Sequence, residues 1–384
     1  MEFDYLLGVA ALDAGKPDRA TLALERVLSV DPNFGGARID IGRAYAALGN
    51  TIQAKEEFAA VLKLNPPDAT RHRVEKFVAE IENHSQSDKS HWTGFFAFTL
   101  GRDSNINGAT DDKNQFIPLF NTSVVLDGNS VEMPSNYMGV AGKIQFNYQL
   151  KDNVSVYAGL ESELQRNFQA AQFDRSATAL RAGGVVTLAK HEFELSSTLG
   201  KTFLEQHAYR DLVGIALQWR YNFNDQNQLQ VVAQHNRLRY PEADARVFDT
   251  DQNVLGLNWI TSFGEHNRGI GFIGSFFGTE SDINGNDSGA KRFYGLRGGG
   301  QYGLTANTSL FTTAGVTYSG FDREGAFLKT REDRRYDLVL GLNYQLWTSW
   351  SLRPQLSLTR QDSNIGLYDF DRTEIFVTLR RDWR

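Results

Sequence analysis

From Trp92 onward, apolar and polar side chains alternate with a period of two, and the segments that carry this pattern are joined by connections of two unlike kinds. In Ser351–Thr359, Leu352, Pro354, Leu356 and Leu358 point one way, while Arg353, Gln355, Ser357 and Thr359 point the other. Tyr336–Leu346 repeats it, with Leu338, Leu340, Leu342 and Tyr344 opposed to Asp337, Gly341, Asn343 and Gln345. A period of two puts each set on its own face of a sheet. Comparable runs lie near 92–101, 137–150, 154–167, 176–189, 192–205, 212–223, 228–239, 254–263, 269–278, 292–304, 310–321 and 373–383, about fourteen in all. An even number suits a bacterial barrel.

The connections decide between a soluble β protein and a membrane barrel. Lys151–Asn153, Lys190–His191, Asn224–Asn227, Gly264–Asn267, Thr305–Thr308 and Trp347–Trp350 are tight turns. Alternating with them are mostly longer polar segments, among them Arg102–Ser135, Pro241–Asp249, Ser281–Ser288, Arg323–Arg331 and Asp362–Asp369. Short turns on one rim and long loops on the other are the pattern of outer-membrane barrels. The mean hydropathy of -0.40 does not oppose this. No run approaches the roughly 18 apolar residues of a membrane helix, but a barrel wall averages its two faces to a polar composition.

Aromatic residues gather where a bilayer interface should lie. Tyr148, Phe223, Phe263, Tyr302, Tyr344, Trp347 and Trp350 sit at or beside the tight turns, and Trp219, Tyr221 and Trp259 are close to the same edge. Amphipathic rings favour the headgroup level. The last strand sets Ile375, Val377, Leu379 and Trp383 on one face and ends on that aromatic, followed only by Arg384. Such an ending resembles the C-terminal signal by which assembly machinery recognises barrels. On the opposite face, Glu161, Glu163, Gln165, Arg181, Arg297, Arg353, Glu374 and Arg380 are expected to line a wet lumen.

The first ninety residues follow different rules. LGVAALDAGKPDRATLALERVLSVDP (7–32) aligns with IGRAYAALGNTIQAKEEFAAVLKLNP (41–66), pairing Gly8 with Gly42, Gly15 with Gly49, Ala20 with Ala54, Leu24 with Phe58 and Pro32 with Pro66. Every offset is 34, the tetratricopeptide period. Small residues at Gly8, Ala20, Gly42 and Ala54 allow paired helices to approach, with Leu24 and Phe58 filling between them. Residues 70–83 predict a further amphipathic helix with Val74, Phe77, Val78 and Ile81 on one stripe, suited to cap the repeats. HSQSDKS (84–90) reads as a structureless linker. The expected organisation is therefore α+β and multidomain: a short all-α tetratricopeptide domain over 1–83, a linker over 84–91, and an antiparallel transmembrane β-barrel of about fourteen strands over 92–384. The start of the chain lacks the basic and apolar segments of a secretory signal, so an upstream signal is expected to have been trimmed.

The chain has no cysteine, which excludes thiolate sites and disulfides. A net charge of -6 disfavours nucleic acid as a partner. No GxSxG elbow, phosphate-binding glycine loop or HExxH motif occurs, so neither enzymatic activity nor a catalytic residue, cofactor or metal is expected. Asp282-Ile-Asn284-Gly-Asn286-Asp287 opens like a calcium loop, but has Asp where the turn glycine belongs and no closing Glu. A polar surface loop is the better reading.

The tract GFFAFTLGRDSNIN (94–107), set directly after tetratricopeptide repeats and before a barrel of this size, resembles the surface lipoprotein assembly modulators, the Slam proteins. Gly101, Asp103, Ser104, Asn105 and Asn107 carry the local likeness. Read by their chemistry alone, Asp103, Ser104 and Asn105 form a polar strand end whose side chains bond nearby backbone. The resemblance implies an outer-membrane translocon that delivers lipoproteins, or secreted haem- and iron-binding proteins, from periplasm to cell surface. Its partners would be that client, periplasmic chaperones and outer-membrane lipid. Candidate substrate-contacting residues are the motif positions Asp103, Ser104, Asn105 and Asn107 and the lumen positions Glu161, Glu163, Arg181, Arg297, Arg353 and Arg380. Competing readings are an exopolysaccharide export porin and a barrel that only anchors a periplasmic interaction domain.

Overall fold

The computed structural model describes residues 2–48, 50–87, 89–264, 268–284 and 290–383. Gly49 of the repeat alignment, His266 of a tight turn, part of the calcium-like tract (285–287) and Arg384 lie outside them. The chain divides into two compact units, Met1–Ser90 and His91–Arg384.

Among the described residues the first unit contains five helices, α1 (Glu2–Asp13), α2 (Pro17–Val30), α3 (Gly35–Ala47), α4 (Thr51–Lys63) and α5 (Asp68–Ser87). The two repeats are the antiparallel pairs α1–α2 and α3–α4. Leu24 and Phe58 are fully buried, as are Ala20 and Ala54. The reason for the repeated glycine is direct. A Cβ on Gly8 would stand 2.6 Å from the Leu24 side chain, and one on Gly42 would stand 2.8 Å from the Phe58 ring. Phe58 also stacks on Phe77 of α5, with ring centroids 5.6 Å apart, and Val74 is buried beside it, so α5 covers the second repeat. That helix runs to Ser87, through most of the segment whose polarity suggested a structureless linker. Between Asp68 and Ser87 there is no proline or glycine to stop it, and polarity alone does not end a helix.

A hydrogen bond from the Tyr45 hydroxyl to Glu25 (2.9 Å) ties α3 to α2. Burial, with Glu25 adding to it, pushes the Tyr45 hydroxyl up to about 12.

The second unit is a closed antiparallel barrel of fourteen strands. It begins with β1 (Ser90–Asp103). Two short strands, β2 (Asn114–Ile117) and β3 (Thr122–Val125), form a separate hairpin within the first long loop. The wall resumes with β4 (Ser135–Lys151), β5 (Val154–Asn167), β6 (Arg175–Leu188), β7 (His191–Leu204), β8 (His207–Asn222) and β9 (Asn227–Arg239). It is completed by β10 (Thr250–Phe263), β11 (Gly269–Asp282), β12 (Lys291–Gly303), β13 (Thr308–Glu324), β14 (Thr330–Trp347), β15 (Trp350–Ser363) and β16 (Phe370–Trp383). Each wall strand pairs with its neighbour in sequence. Closure comes from β1, which lies between β4 and β16 and is matched to β16 over ten consecutive residue pairs, from Gly94–Trp383 to Asp103–Glu374.

The wall strands run 13 to 18 residues, longer than the roughly 9–11 a bilayer requires. Sequence reading ended several of them early. β10 starts at Thr250 and β14 at Thr330, because above the membrane both faces are polar and the alternation that marks a wall strand disappears. Within the membrane the alternation holds. Leu160, Leu180, Leu199, Val213, Leu255, Phe277, Leu296 and Ile375 are among the exposed side chains of the outer face. Tyr148, Phe223, Phe263, Tyr302 and Tyr344 belong to it at the short-turn rim, and ring contacts such as the stacked Phe263–Tyr302 pair (6.2 Å) and the tilted Phe223–Trp259 pair (5.1 Å) join the rings into a girdle. Tyr294, Tyr318 and Tyr336 form its counterpart toward the long loops.

Two outcomes follow. Gly42→Ala is expected to destabilise the helical unit by about 1–3 kcal/mol through overpacking, lowering the urea midpoint of the helical circular dichroism signal while the barrel keeps its heat-modifiable migration. In an alkaline spectrophotometric titration, the tyrosinate signal lost in Tyr45→Phe should have its midpoint near 12 instead of 10. A raised value means the Tyr45–Glu25 bond contributes fully below pH 10 and is lost as pH climbs through 12.

Candidate functional site: the lumen and its motif-built mouth

At the long-loop end of β1 the side chains of the DSNxN tract turn inward and onto the first long loop. Asp103 is fully buried and receives the Arg372 guanidinium of β16, with Nε 2.9 Å from Oδ2 and 3.1 Å from Oδ1. Arg372 stands 4.0 Å from Glu374, which accepts a 2.6 Å bond from the Tyr137 hydroxyl of β4. One linked cluster thus spans β16, β1 and β4, the three strands around the closure. Gly101 makes room for it, since a Cβ there would lie 2.6 Å from the Tyr137 ring.

The next residues are occupied by backbone. Ser104 exchanges bonds with Thr373, N–H to carbonyl and N–H to hydroxyl, both 2.9 Å. Asn105, fully buried, donates to the carbonyls of Ala109 (2.8 Å) and Asp371 (3.1 Å) and accepts from the Ala109 N–H. Asn107 donates to the carbonyls of Asn129 and Val131 and accepts from the Met133 N–H. Asp103 and Asn105 have no surface to offer a cargo, which corrects the expectation that they contact substrate. They are strand-end and loop anchors, the role their side-chain chemistry also favoured.

The loop they anchor, residues 104–134, carries the β2–β3 hairpin. It accepts a bond from Gln172 of the β5–β6 connection at Asn129 (2.9 Å), and its Leu119 N–H donates to Ala326 of the β13–β14 connection (3.1 Å). Six strands of the fourteen (β5, β4, β1, β16, β15, β14) separate those two connections around the wall. The loop is therefore a strap fastened at well-separated points of the mouth. Within it, hydrogen bonds from Ser130 and Asn129 hold the Asp127 carboxyl below the usual carboxylate range.

The remaining candidates lie on the inward face, and the structure pairs most of them. Arg181 donates to Glu194 (2.8 Å), to the Tyr157 hydroxyl (3.1 Å) and to Ser196 (3.2 Å). Glu163 meets Arg175 at 3.0 Å. Arg353 donates to Asn343 (2.8 Å), and Arg380 bonds Asp382 through both oxygens while lying 3.7 Å over the Phe95 ring. Glu161 and Arg297 form no ion pair among the described residues, and both are exposed to the lumen. They sit on β5 and β12, seven strands apart, so the wall presents a free carboxylate and a free guanidinium on opposite sides. Arg372, Tyr137 and Glu194 escaped sequence reading. Their inward parity was visible, but nothing local to them reveals a partner hundreds of residues away or on another strand.

Not all of the inward face is polar. Phe272, Phe276, Phe293 and Phe311 belong to it on β11–β13, and their rings lie against inward glycines of neighbouring strands. Phe276 covers Gly295, where a Cβ would come within 2.6 Å, and Phe311 covers Gly341.

A family model described as surface lipoprotein assembly modifier matches residues 92–383, and a tetratricopeptide-repeat model matches 11–75. A surface lipoprotein assembly modifier of Moraxella catarrhalis is 20% identical over 386 residues, covering 98% of this chain and 72% of that protein. Among solved structures, the outer-membrane channel DcaP of Acinetobacter baumannii covers 77% of this chain and 97% of its own at 10% identity, with a TM-score of 0.44. OmpT of Vibrio cholerae covers 77% and 98% at 9% identity, with a TM-score of 0.42.

Removing one charge of the closure cluster tests its weight. Asp103→Asn is expected to cost about 3 kcal/mol, the low end for a broken buried pair because Arg372 keeps some solvent access. The measurement is the temperature at which the folded barrel band is lost on semi-native gels. Asp103→Asn with Arg372→Gln together should cost clearly less than the two single losses added.

Proposed function

Because the chain belongs to the surface lipoprotein assembly modifier family, we propose that it works as an outer-membrane translocon that takes a client polypeptide from the periplasm to the cell surface. Its place is the outer membrane, and its role lies in the surface assembly of lipoproteins. The observation that carries the translocon reading is the closed wall around a lumen with charged and amide-bearing side chains along much of its length, combined with that family. β1 leaves from, and β16 returns to, the rim of tight turns, which in such barrels faces the periplasm. The chain therefore reaches the barrel wall from the periplasmic side, and repeats of this type offer a concave surface for a client or the chaperone that delivers it.

Clients would be lipoproteins first, and secreted haem- or iron-binding proteins by the same route. Energy for the transfer would come from client folding outside, since no nucleotide-binding motif is present.

Co-expression with a lipoprotein encoded beside it should give surface display, read by antibody labelling of intact cells and by protease shaving. Deleting the gene should leave that lipoprotein protected inside. Unchanged display in the deletion strain would remove the reading. Conductance of the purified barrel blocked by a sugar polymer, and untouched by the client, would favour polysaccharide export.

A further inference from the structure

Barrel interiors of this class are polar, so an apolar recess inside the lumen needs an occupant. Such a recess lies near the tight-turn rim. It has a volume of about 530 Å³ and is floored by Ile260, Ile270, Phe272 and Phe311, with the amides of Gln301 and Gln355 beside them. All six belong to the inward set by register: Ile260 pairs with Phe272, while Ile270, Gln301 and Phe311 follow one another across β11, β12 and β13. Ile270 is 49% exposed although it faces the interior. The rings cause the hollow. Phe311 lies over Gly341 and Phe272 over Gly299, so both hug the wall instead of projecting into the bore.

The lining selects the occupant. A bilayer acyl chain would have to pass between strands, but β1 and β16 are matched over ten pairs, the pairings of β10 to β14 are continuous around the recess, and the β14–β15 ladder skips only Leu342 and Asn343 opposite Pro354 and Arg353 before resuming in the same register. An anionic headgroup would need a free cation. Arg353, the one basic side chain of the lining, is committed to Asn343 at 2.8 Å and faces Asp382 at 3.9 Å. What remains is mainly apolar surface edged by neutral amides and the Thr313 hydroxyl. The Gln355 amide has no hydrogen bond among the described residues, and a primary amide both donates to and accepts from a peptide group. The volume falls in the range of about 300–1,000 Å³ typical of ligand pockets.

We propose that this recess docks an extended, apolar segment of the client polypeptide as it enters the lumen from the periplasmic side. The proposal rests on the translocon reading and adds to it a site and the type of client segment that site holds. The client would leave its apolar side chains against Ile260, Ile270, Phe272 and Phe311 while the Gln355 amide, and the Gln301 carbonyl whose amide nitrogen donates to Ser309 at 2.8 Å, meet its backbone.

The test uses the full chain in outer membranes together with a displayed client. A photo-cross-linking phenylalanine analogue replaces Ile270, Gln301 or, on the opposite wall, Glu161. Cross-links to the client should form at positions 270 and 301, map to stretches rich in Val, Ile, Leu and Phe, and be weak at 161. Ile270→Asn should slow display about tenfold, the loss of burial of one aliphatic side chain, and Ile270→Leu should restore it. Equal cross-linking at 161 and 270, adducts with lipid instead of polypeptide, or normal display by a folded Ile270→Asn would each overturn the proposal. If Ile270→Asn does not reach the folded, heat-modifiable form, cross-linking at Gln301 alone decides. Failure of the underlying reading looks different: the wild-type chain would then give no display beyond that of the deletion strain.

Discussion

A sheet in hydrocarbon has no water to satisfy its backbone, and every other property of this barrel answers to that fact. Fourteen strands can meet the demand only by joining the first to the last. The junction is where sequence gives least help, since β1 and β16 are separated by almost the whole barrel. Ten backbone pairings close it, and above them Asp103, Arg372, Glu374 and Tyr137 add a side-chain clasp reaching to β4. Burying a carboxylate completely is costly unless a cation and hydrogen bonds meet it. Arg372 and the Asn105 N–H do so here.

The same constraint explains the motif. A strand that leaves the bilayer must hand its last hydrogen bonds to something. Ser104 and Asn105 take them from β16 and from the start of the loop, and Asn107 passes the order on to residues 129–133. A tract that by family likeness seemed suited to meet cargo is thus chiefly the splice between wall and strap.

Much of this was legible from residue order. The 34-residue offset placed Gly8 against Leu24 and Gly42 against Phe58, and the period of two separated Leu338, Leu340 and Leu342 from Asp337 and Asn343. Both patterns are local, so local reading found them. The extension of α5 to Ser87 is not legible in its polar composition, which a solvent-exposed helix end shares with a linker. The β2–β3 hairpin was missed because Phe116 and Val124 lie in a loop with no alternation long enough to register. Ion pairs such as Arg181–Glu194 and Arg372–Asp103 depend on strand register, which a single sequence states only loosely.

The glycines under the inward phenyl rings bear on how such a channel can vary. A methyl group added at Gly341 would meet only the Phe311 ring and lift it toward the axis, whereas one at Gly295 would also press on the Val316 carbonyl of the next strand. Calibre is thereby uncoupled from architecture at Gly341: a single-codon change there would narrow the passage of a tube whose strand count and closure remain fixed.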